Sequence, residues 1–172
     1  KQVISMTQAA NNYGQVLYER KVPAQMVEDA RKAFEEVPQL KQVLASPVIP
    51  KSKKHRVIDR IFPRELRSFF KVLVDHGDMD MVEAVFRAYH TYACEQEGIL
   101  QAELSYVTDP TEEQLEKIRQ TLCRKYGKKA VELSLKKDPA LIGGFIIRVG
   151  GLETDWSMRG RLKQLEQILK RR

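Results

Sequence analysis

The chain has 172 residues, is 42% hydrophobic and carries a formal net charge of +7 with neutral histidines. This apolar content suffices for a packed core and excludes the composition of a disordered chain. The two cysteines, Cys94 and Cys123, stand too far apart in the sequence to form a C-x-x-C pair, which argues against a disulfide framework or a thiolate metal site. No apolar run approaches the roughly 18 residues that span a bilayer, so we expect any membrane attachment to come through a partner.

Apolar residues recur at helical spacing throughout the first 98 residues. We predict that a first helix follows Thr7 as N-cap, that a second opens at Pro23, and that two shorter helices follow, the later one capped by Ser52. A fifth helix opens at Pro63, and a sixth runs over residues 79–97. Six helices with short connections are typical of a bundle.

The apolar period changes after Gly98. Residues 100–106 alternate between apolar and polar side chains, which predicts a strand with one exposed face. Thr111 with Gln114 forms a capping-box pattern, and Gly127 can close the helix that follows in the left-handed conformation. A strand followed by a helix is therefore expected directly after the six helices.

The last part of the chain predicts more strands and one more helix. Residues 131–136 alternate, and residues 145–149 and 152–156 flank the pair Gly150-Gly151, which predicts a two-residue hairpin in a small antiparallel-capable sheet. A final helix follows Ser157. The predicted fold is mainly α, with an N-terminal six-helix bundle over residues 1–98 and a small α+β domain over residues 99–172.

Catalytic constellations are missing from the sequence pattern. The histidines, His55, His76 and His90, form no H-E-x-x-H pair, so no metal is expected. Gly143-Gly144 and Gly150-Gly151 precede strands rather than a helix with a phosphate-binding lysine, so turn roles are favoured over a nucleotide cradle. We expect no catalytic residue, no cofactor and no enzymatic activity.

Basic residues cluster in two places, at a helix start and at a helix end. They are Lys51, Lys53, Lys54, His55 and Arg56 in the first cluster, and Arg124, Lys125, Lys128 and Lys129 in the second. The second cluster also suits the helix dipole. A nucleic-acid interface would need exposed aromatic residues on a strand platform, and only Tyr106, Phe145 and Trp156 are available, on separate segments. A basic RNA-binding accessory protein is the alternative function.

One block carries a specific resemblance. The run D-P-A-L-I-G-G-F-I-I-R-V-G from Asp138 to Gly150, followed by Asp155, Ser157 and the run R-G-R-L over residues 159–162, resembles the C-terminal signature of the ATP synthase delta subunit family. The mitochondrial members of this family are the oligomycin sensitivity-conferring proteins. The order and length of the predicted elements extend the resemblance over essentially the whole chain. One departure is visible in residues 11–18, where an arginine of the family's first helix is missing and Gly14 is expected to weaken that helix.

The resemblance implies a non-catalytic stator subunit in the peripheral stalk of an F-type ATP synthase. Such a subunit links the catalytic alpha/beta head to the b subunits of the membrane sector and resists rotor torque during ATP synthesis coupled to ion transport. It implies one copy per complex, on the cytoplasmic face of the bacterial cell membrane and peripheral to that membrane through the complex, with no nucleic-acid partner.

The resemblance also implies two partner surfaces. The N-terminal bundle would hold N-terminal segments of alpha subunits in a groove between the first and fifth helices, which places Tyr13, Val16 and Leu17 opposite Phe69, Phe70 and Leu73. For any one of these residues a core role is favoured over partner contact, since every helix of a bundle buries one face. The C-terminal domain would bind b subunits through Arg159, Arg161, Leu162, Leu165, Ile168 and Leu169.

The excess positive charge is unequal between the two predicted domains. Residues 1–98 carry a net charge of +2, and residues 99–172 carry +5. We therefore expect the basic character to act in the small domain, where it would steer an acidic surface of the stalk into register.

Overall fold

The computed structural model describes residues 2–141, 143–150 and 152–155. The chain divides into two compact units, Lys1–Ala93 and Cys94–Arg172. This division falls inside the sixth helix, whereas the sequence pattern changes at Gly98, where that helix has ended. The chain is mainly helical with one small sheet among its described residues.

The first unit is built from helices joined by short connections. In chain order they are α1 (Gln2–Glu19), α2 (Ala24–Glu36), α3 (Pro38–Ala45), α4 (Lys51–Ile61), α5 (Arg64–His76), a 3₁₀ turn (Met79–Met81) and α6 (Val82–Glu97). Pro23, Pro50 and Pro63 each stand directly before a helix, because the fixed φ of proline suits helix entry and its missing N–H costs nothing there. Gly77 ends α5 with a φ of 80°, in the left-handed region that favours glycine.

Three helix starts differ from the sequence prediction. α1 begins at Gln2, so Thr7 lies inside the helix and is not its N-cap. α4 begins at Lys51 directly after Pro50, and Ser52 lies inside it without a capping role. The sixth helix begins at Val82 because one 3₁₀ turn precedes it. At the start of α4, Pro50 alone fixes the direction in which the chain enters the helix, and no side-chain oxygen accepts a hydrogen bond from the first N–H groups.

The core of the first unit is centred on phenylalanine rings. Phe70 of α5 is fully buried, and its ring centroid lies 4.3 Å from that of Phe62, 5.6 Å from that of Phe34 and 6.4 Å from that of Phe86. All six helices and the 3₁₀ turn contribute buried side chains to this one core. Aromatic pairs at these separations add to the hydrophobic stabilisation of the unit.

The second unit contains a four-stranded sheet in the order β2-β1-β3-β4 within the described residues. Its elements are β1 (Ile99–Tyr106), α7 (Glu112–Tyr126), β2 (Ala130–Lys137), β3 (Phe145–Val149) and β4 (Leu152–Asp155). β1 pairs in parallel with β2, and β3 is antiparallel to both β1 and β4. The sequence predicts an antiparallel-capable sheet over residues 131–156 and does not predict the parallel pairing of β2 with β1, for which α7 supplies the crossover that parallel strands require.

The turn and cap predictions in this unit are confirmed. The Thr111 hydroxyl accepts a hydrogen bond from the Gln114 backbone N–H (3.3 Å), and the Gln114 side chain accepts one from the Thr111 N–H (3.0 Å). Gly127 closes α7 with a φ of 62°. Gly150 has a φ of 56° in the hairpin that pairs Val149 with Leu152. A small core packs α7 against the sheet through Ala102, Leu104, Leu115, Leu122 and Ile147.

Candidate interaction surfaces

α1 and α5 contact each other at two points. The Tyr13 ring meets the Phe69 ring edge-on, with centroids 6.2 Å apart and an interplanar angle of 87°. Directly after the end of α1, the Arg20 guanidinium donates a hydrogen bond to the Ser68 hydroxyl of α5 (2.9 Å). Tyr13 also contacts His76 at the end of α5, whereas Arg20 contacts Ser68 in the first half of α5, so the two helices run antiparallel.

The tip of Tyr13 makes a polar contact with the turn after α5. Its hydroxyl donates to Asp78 Oδ2 (2.8 Å) and lies 2.8 Å from His76 Nδ1. Because a hydroxyl has one proton, the His76 Nδ1–H is the donor in the second bond. Burial first, and then the bond and the negative charge of Asp78, raise the pKa of Tyr13 to about 12. Gly77 allows this arrangement, since its left-handed conformation turns the chain so that the Asp78 N–H bonds to the Leu73 carbonyl.

Two exposed valines stand between these contacts. Val16 of α1 is 46% exposed, and it lies one helical turn from both Tyr13 and Arg20. Val72 of α5 is 44% exposed, and it lies one turn from both Ser68 and His76. The paired helices therefore present a surface, the α1–α5 surface, with exposed valines in its middle and polar contacts at each end.

The six residues predicted for alpha-subunit binding occupy different positions on this helix pair. Leu17, Phe70 and Leu73 are fully buried and Phe69 is 4% exposed, so these four side chains are core residues beneath the α1–α5 surface. Tyr13 is half-buried and Val16 is exposed. A partner that met this conformation would contact Tyr13 and Val16 and would leave the other four to the core.

Sequence reasoning missed Val72. Its apolar neighbours Phe69, Phe70 and Leu73 define the buried stripe of α5, and Val72 lies outside that stripe. The available signal was an apolar residue outside the buried stripe of α5. Such a residue indicates an interaction surface when the neighbouring helix also exposes an apolar residue, as α1 does at Val16.

The second unit has an apolar groove where α7 meets β3. Its volume is about 190 Å³, and the apolar part of its lining comes from Ile118, Leu122, Tyr126, Phe145, Ile147 and Val149. Lys117 and Lys125 stand at the same groove. Apolar side chains beside ammonium groups suit a partner with an apolar face and carboxylates at its edge.

Among the described residues, no helix combines the length and the apolar composition that a membrane span requires.

Comparison with known protein families identifies the family of this chain. The family model of the ATP synthase delta (OSCP) subunit matches residues 4–169. The chain belongs to the ATP synthase delta (OSCP) subunit family. The delta-family assignment makes it a subunit of the peripheral stalk of ATP synthase.

Similar individual proteins are also ATP synthase delta subunits. The chain is 31% identical over 143 residues to the ATP synthase subunit delta of Desulfatibacillum aliphaticivorans, which covers 80% of this chain and 78% of that protein. It is 30% identical over 141 residues to the subunit delta of Lactobacillus johnsonii, with the same coverage. A chain of the Toxoplasma gondii mitochondrial ATP synthase hexamer shares the fold, with a TM-score of 0.69 at 18% identity over 93% of this chain and 96% of that one.

The delta-family match extends over both units and includes the segment predicted to bind b subunits. The six residues of that prediction lie outside the described residues, as does the final helix expected after Ser157. They are Arg159, Arg161, Leu162, Leu165, Ile168 and Leu169.

Proposed function

We propose that this delta-family subunit joins the catalytic head of its ATP synthase to the b subunits, as a non-catalytic link that resists rotor torque. In this proposal residues 1–98 form a six-helix bundle that binds N-terminal segments of alpha subunits, and residues 99–172 bind the b subunits. One copy acts per complex, peripheral to the membrane at its cytoplasmic face. The family assignment supports the stalk role, and the two surfaces described above support a link without chemistry of its own.

One observation carries the proposal for the head. Val16 and Val72 are exposed on antiparallel helices that also exchange hydrogen bonds at both ends of the pair. An amphipathic helix from an alpha subunit would lay its apolar side chains on these valines and its polar side chains beside Arg20 and His76, which is helix-in-groove recognition. The ties from Tyr13 and Arg20 fix the spacing of the two helices before binding, so little ordering is needed.

The second attachment is proposed for the second unit. The predicted b-binding residues combine two arginines with four apolar residues over residues 159–169, and the groove between α7 and β3 adds apolar surface with lysines beside it. An acidic, apolar-faced end of b would suit both features. Electrostatic attraction would chiefly accelerate association and set the register, while apolar burial would supply affinity.

The test of head binding uses a synthetic N-terminal peptide of the cognate alpha subunit and the full chain. Val16→Asp with Val72→Asp places two carboxylates where the apolar face would rest, so we expect peptide affinity to fall by at least about tenfold, or about 1.4 kcal/mol. The double variant Val37→Asp with Val48→Asp is the matched control, because these valines are also exposed (48% and 87%) but belong to other segments. Unchanged affinity in the first variant, measured by calorimetry, would contradict the proposed surface.

A further inference from the structure

We propose that α4 carries a second docking surface, which binds an acidic amphipathic helix of a protein partner. The surface is a row of four exposed cations, Lys53, Arg56, Arg60 and Arg64, here called the basic row. Among the described residues, none of the four forms a hydrogen bond or an ion pair with another side chain. The basic row shares no residue with the α1–α5 surface, and the inference does not depend on the function proposed for that surface.

Helix geometry places three of the four cations of the basic row on one face of α4. Lys53, Arg56 and Arg60 are spaced by three and four residues, so they follow one another along the same side of α4. From Lys53 to Arg60 the helix rises by about 10 Å. Arg64 is the first residue of α5 and follows the extended residues Phe62 and Pro63, so the spacing argument covers the three cations of α4.

The acidic residues of this stretch have other partners. Asp59 binds Lys71 at 2.7 Å, and that contact lowers the pKa of Asp59. Asp75 binds His55 at 2.9 Å, and its backbone carbonyl accepts a bond from Lys51. The remaining acid, Glu65, directly follows Arg64 on α5, and adjacent helical residues do not face each other.

Intramolecular contacts of the fold do not account for the four cations of the basic row. Residues 51–71 contain eight Lys and Arg but only two acids, while the first 98 residues together carry only +2. Lys53 lies in the first turn of α4, beside the positive end of the helix dipole, where no side chain caps the helix. Its repulsion from Arg56, and that between Arg56 and Arg60, weakens the isolated helix. An anionic partner would remove all of these costs at once.

A neighbouring apolar stripe indicates the class of partner. Ile61 is 49% exposed, and Val57, one turn before it, is only partly buried, so an aliphatic stripe runs beside the basic row. A helix with carboxylates at the same spacing and leucines beside them matches both stripes. Single-stranded nucleic acid binds through exposed aromatic platforms, whereas Phe62, Phe69 and Phe70 near this row are buried.

The test measures binding of the full chain to a fluorescent helical peptide of about 15 residues, with Glu at i, i+3 and i+7 and Leu at the adjoining positions. A scrambled peptide of the same composition is the first control. We expect the helical peptide to bind at least about tenfold more tightly than the scrambled one at 100 mM salt, because only the helical spacing presents carboxylates and leucines together. Ile61→Ser should reduce the affinity about threefold through lost apolar contact.

Charge reversal identifies the residues that bind. We expect Arg56→Glu with Arg60→Glu to lower peptide affinity at least about tenfold. Lys21→Glu with Lys32→Glu changes the net charge equally at exposed sites outside the basic row, and we expect a change below about twofold. Arg56→Gln with Arg60→Gln gives an intermediate loss without added negative charge, and it replaces the reversal variant if circular dichroism shows that variant to be unfolded.

Three results would overturn the proposal. The first is equal binding of the helical and scrambled peptides, and the second is equal loss in the basic-row and control variants. The third is tighter binding of a single-stranded oligouridine of about 20 nucleotides than of the helical peptide, with loss on Arg56→Glu and Arg60→Glu, which would make nucleic acid the occupant.

Discussion

Tyr13 shows how one side chain combines core and surface roles. Its ring packs on Phe69 while its hydroxyl binds Asp78 and His76, so it holds the middle of α1 to the end of α5. The sequence predicts that Tyr13 faces α5 because it belongs to the apolar stripe of α1. The polar partners could not be predicted, since Asp78 reaches Tyr13 only through the left-handed turn at Gly77, whose direction depends on tertiary packing.

The Tyr13 hydroxyl gives the first prediction. Tyr13→Phe keeps the ring contact and removes both hydrogen bonds, so we expect the free energy of unfolding to fall by about 1 kcal/mol near neutral pH. The folded-state pKa of about 12 lies above the ordinary value of 10.0, so this stabilisation is complete below pH 10 and is lost as the pH rises from 10 toward 12. Urea unfolding of both proteins across that range would show the difference shrink. Tyr18→Phe is the control, because the Tyr18 hydroxyl has no hydrogen-bond partner in the described structure.

The two cysteines give the second prediction. Burial, and then the nearby carboxylate of Glu132, raise the pKa of Cys94 to about 11, and its thiol donates to Glu132 at 3.6 Å. Because the thiolate is the reactive form, we expect iodoacetamide at pH 8 to modify half-buried Cys123 first and Cys94 at least about tenfold more slowly. Glu132→Gln should accelerate modification of Cys94, as followed by mass spectrometry of the labelled peptides. Equal rates for Cys94 with and without Glu132 would show that the carboxylate has no effect on the thiol.

At the scale of elements, most helices and strands follow from the apolar pattern, and their ends follow from proline, glycine and the capping box. The two misplaced N-caps have a common cause, which is that local signals compete. Thr7 and Ser52 are good N-cap residues, yet α1 continues upstream of the first and Pro50 already starts α4 before the second. The parallel pairing of β1 with β2 was missed for a different reason. Alternation predicts a strand and its exposed face but not its neighbour in the sheet.

Gly14 gives the third prediction, because helix propensity and packing have opposite effects on the stability of a Gly14→Ala variant. In an isolated helix, Gly14→Ala would stabilise α1 by about 1 kcal/mol. In the folded unit a methyl group at this position would lie 2.6 Å from the Tyr89 backbone nitrogen and 2.7 Å from Ala88 Cβ, so α1 and α6 would have to separate. We therefore expect Gly14→Ala to destabilise the protein by about 1–3 kcal/mol, measured by thermal unfolding. The sequence indicated only that Gly14 weakens α1, because the approach of α6 cannot be read from α1 alone.

At the scale of the whole molecule, the sequence already supports the family assignment, since the C-terminal signature block is specific. The sequence does not show which of the predicted partner residues are buried in the core and which are exposed. Apolar stripes identify which residues face a neighbouring helix, but they do not separate Leu17 and Phe70, which are core, from Val16, which is exposed. That separation depends on how many helices surround each face. Val72 emerges as a candidate contact only when α1 lies beside α5.

The net positive charge of the second unit should make the binding of b depend on salt. The net charge of +5 on residues 99–172 leads us to expect that binding of soluble b slows as salt rises from about 50 to about 300 mM, with a smaller change in the dissociation rate. Surface plasmon resonance with the full chain immobilised measures both rates. An association rate that is independent of salt would mean that the charge serves solubility alone.

The central claim is that this chain physically links the catalytic head to the b subunits. The direct measurement immobilises the isolated head, adds the soluble part of b, and quantifies retained b with and without the full chain. We expect b to be retained only when the chain is present, and retention to be lost when the chain carries Val16→Asp and Val72→Asp but not Val37→Asp and Val48→Asp. Retention of b without the chain, or no retention with it, would contradict the claim.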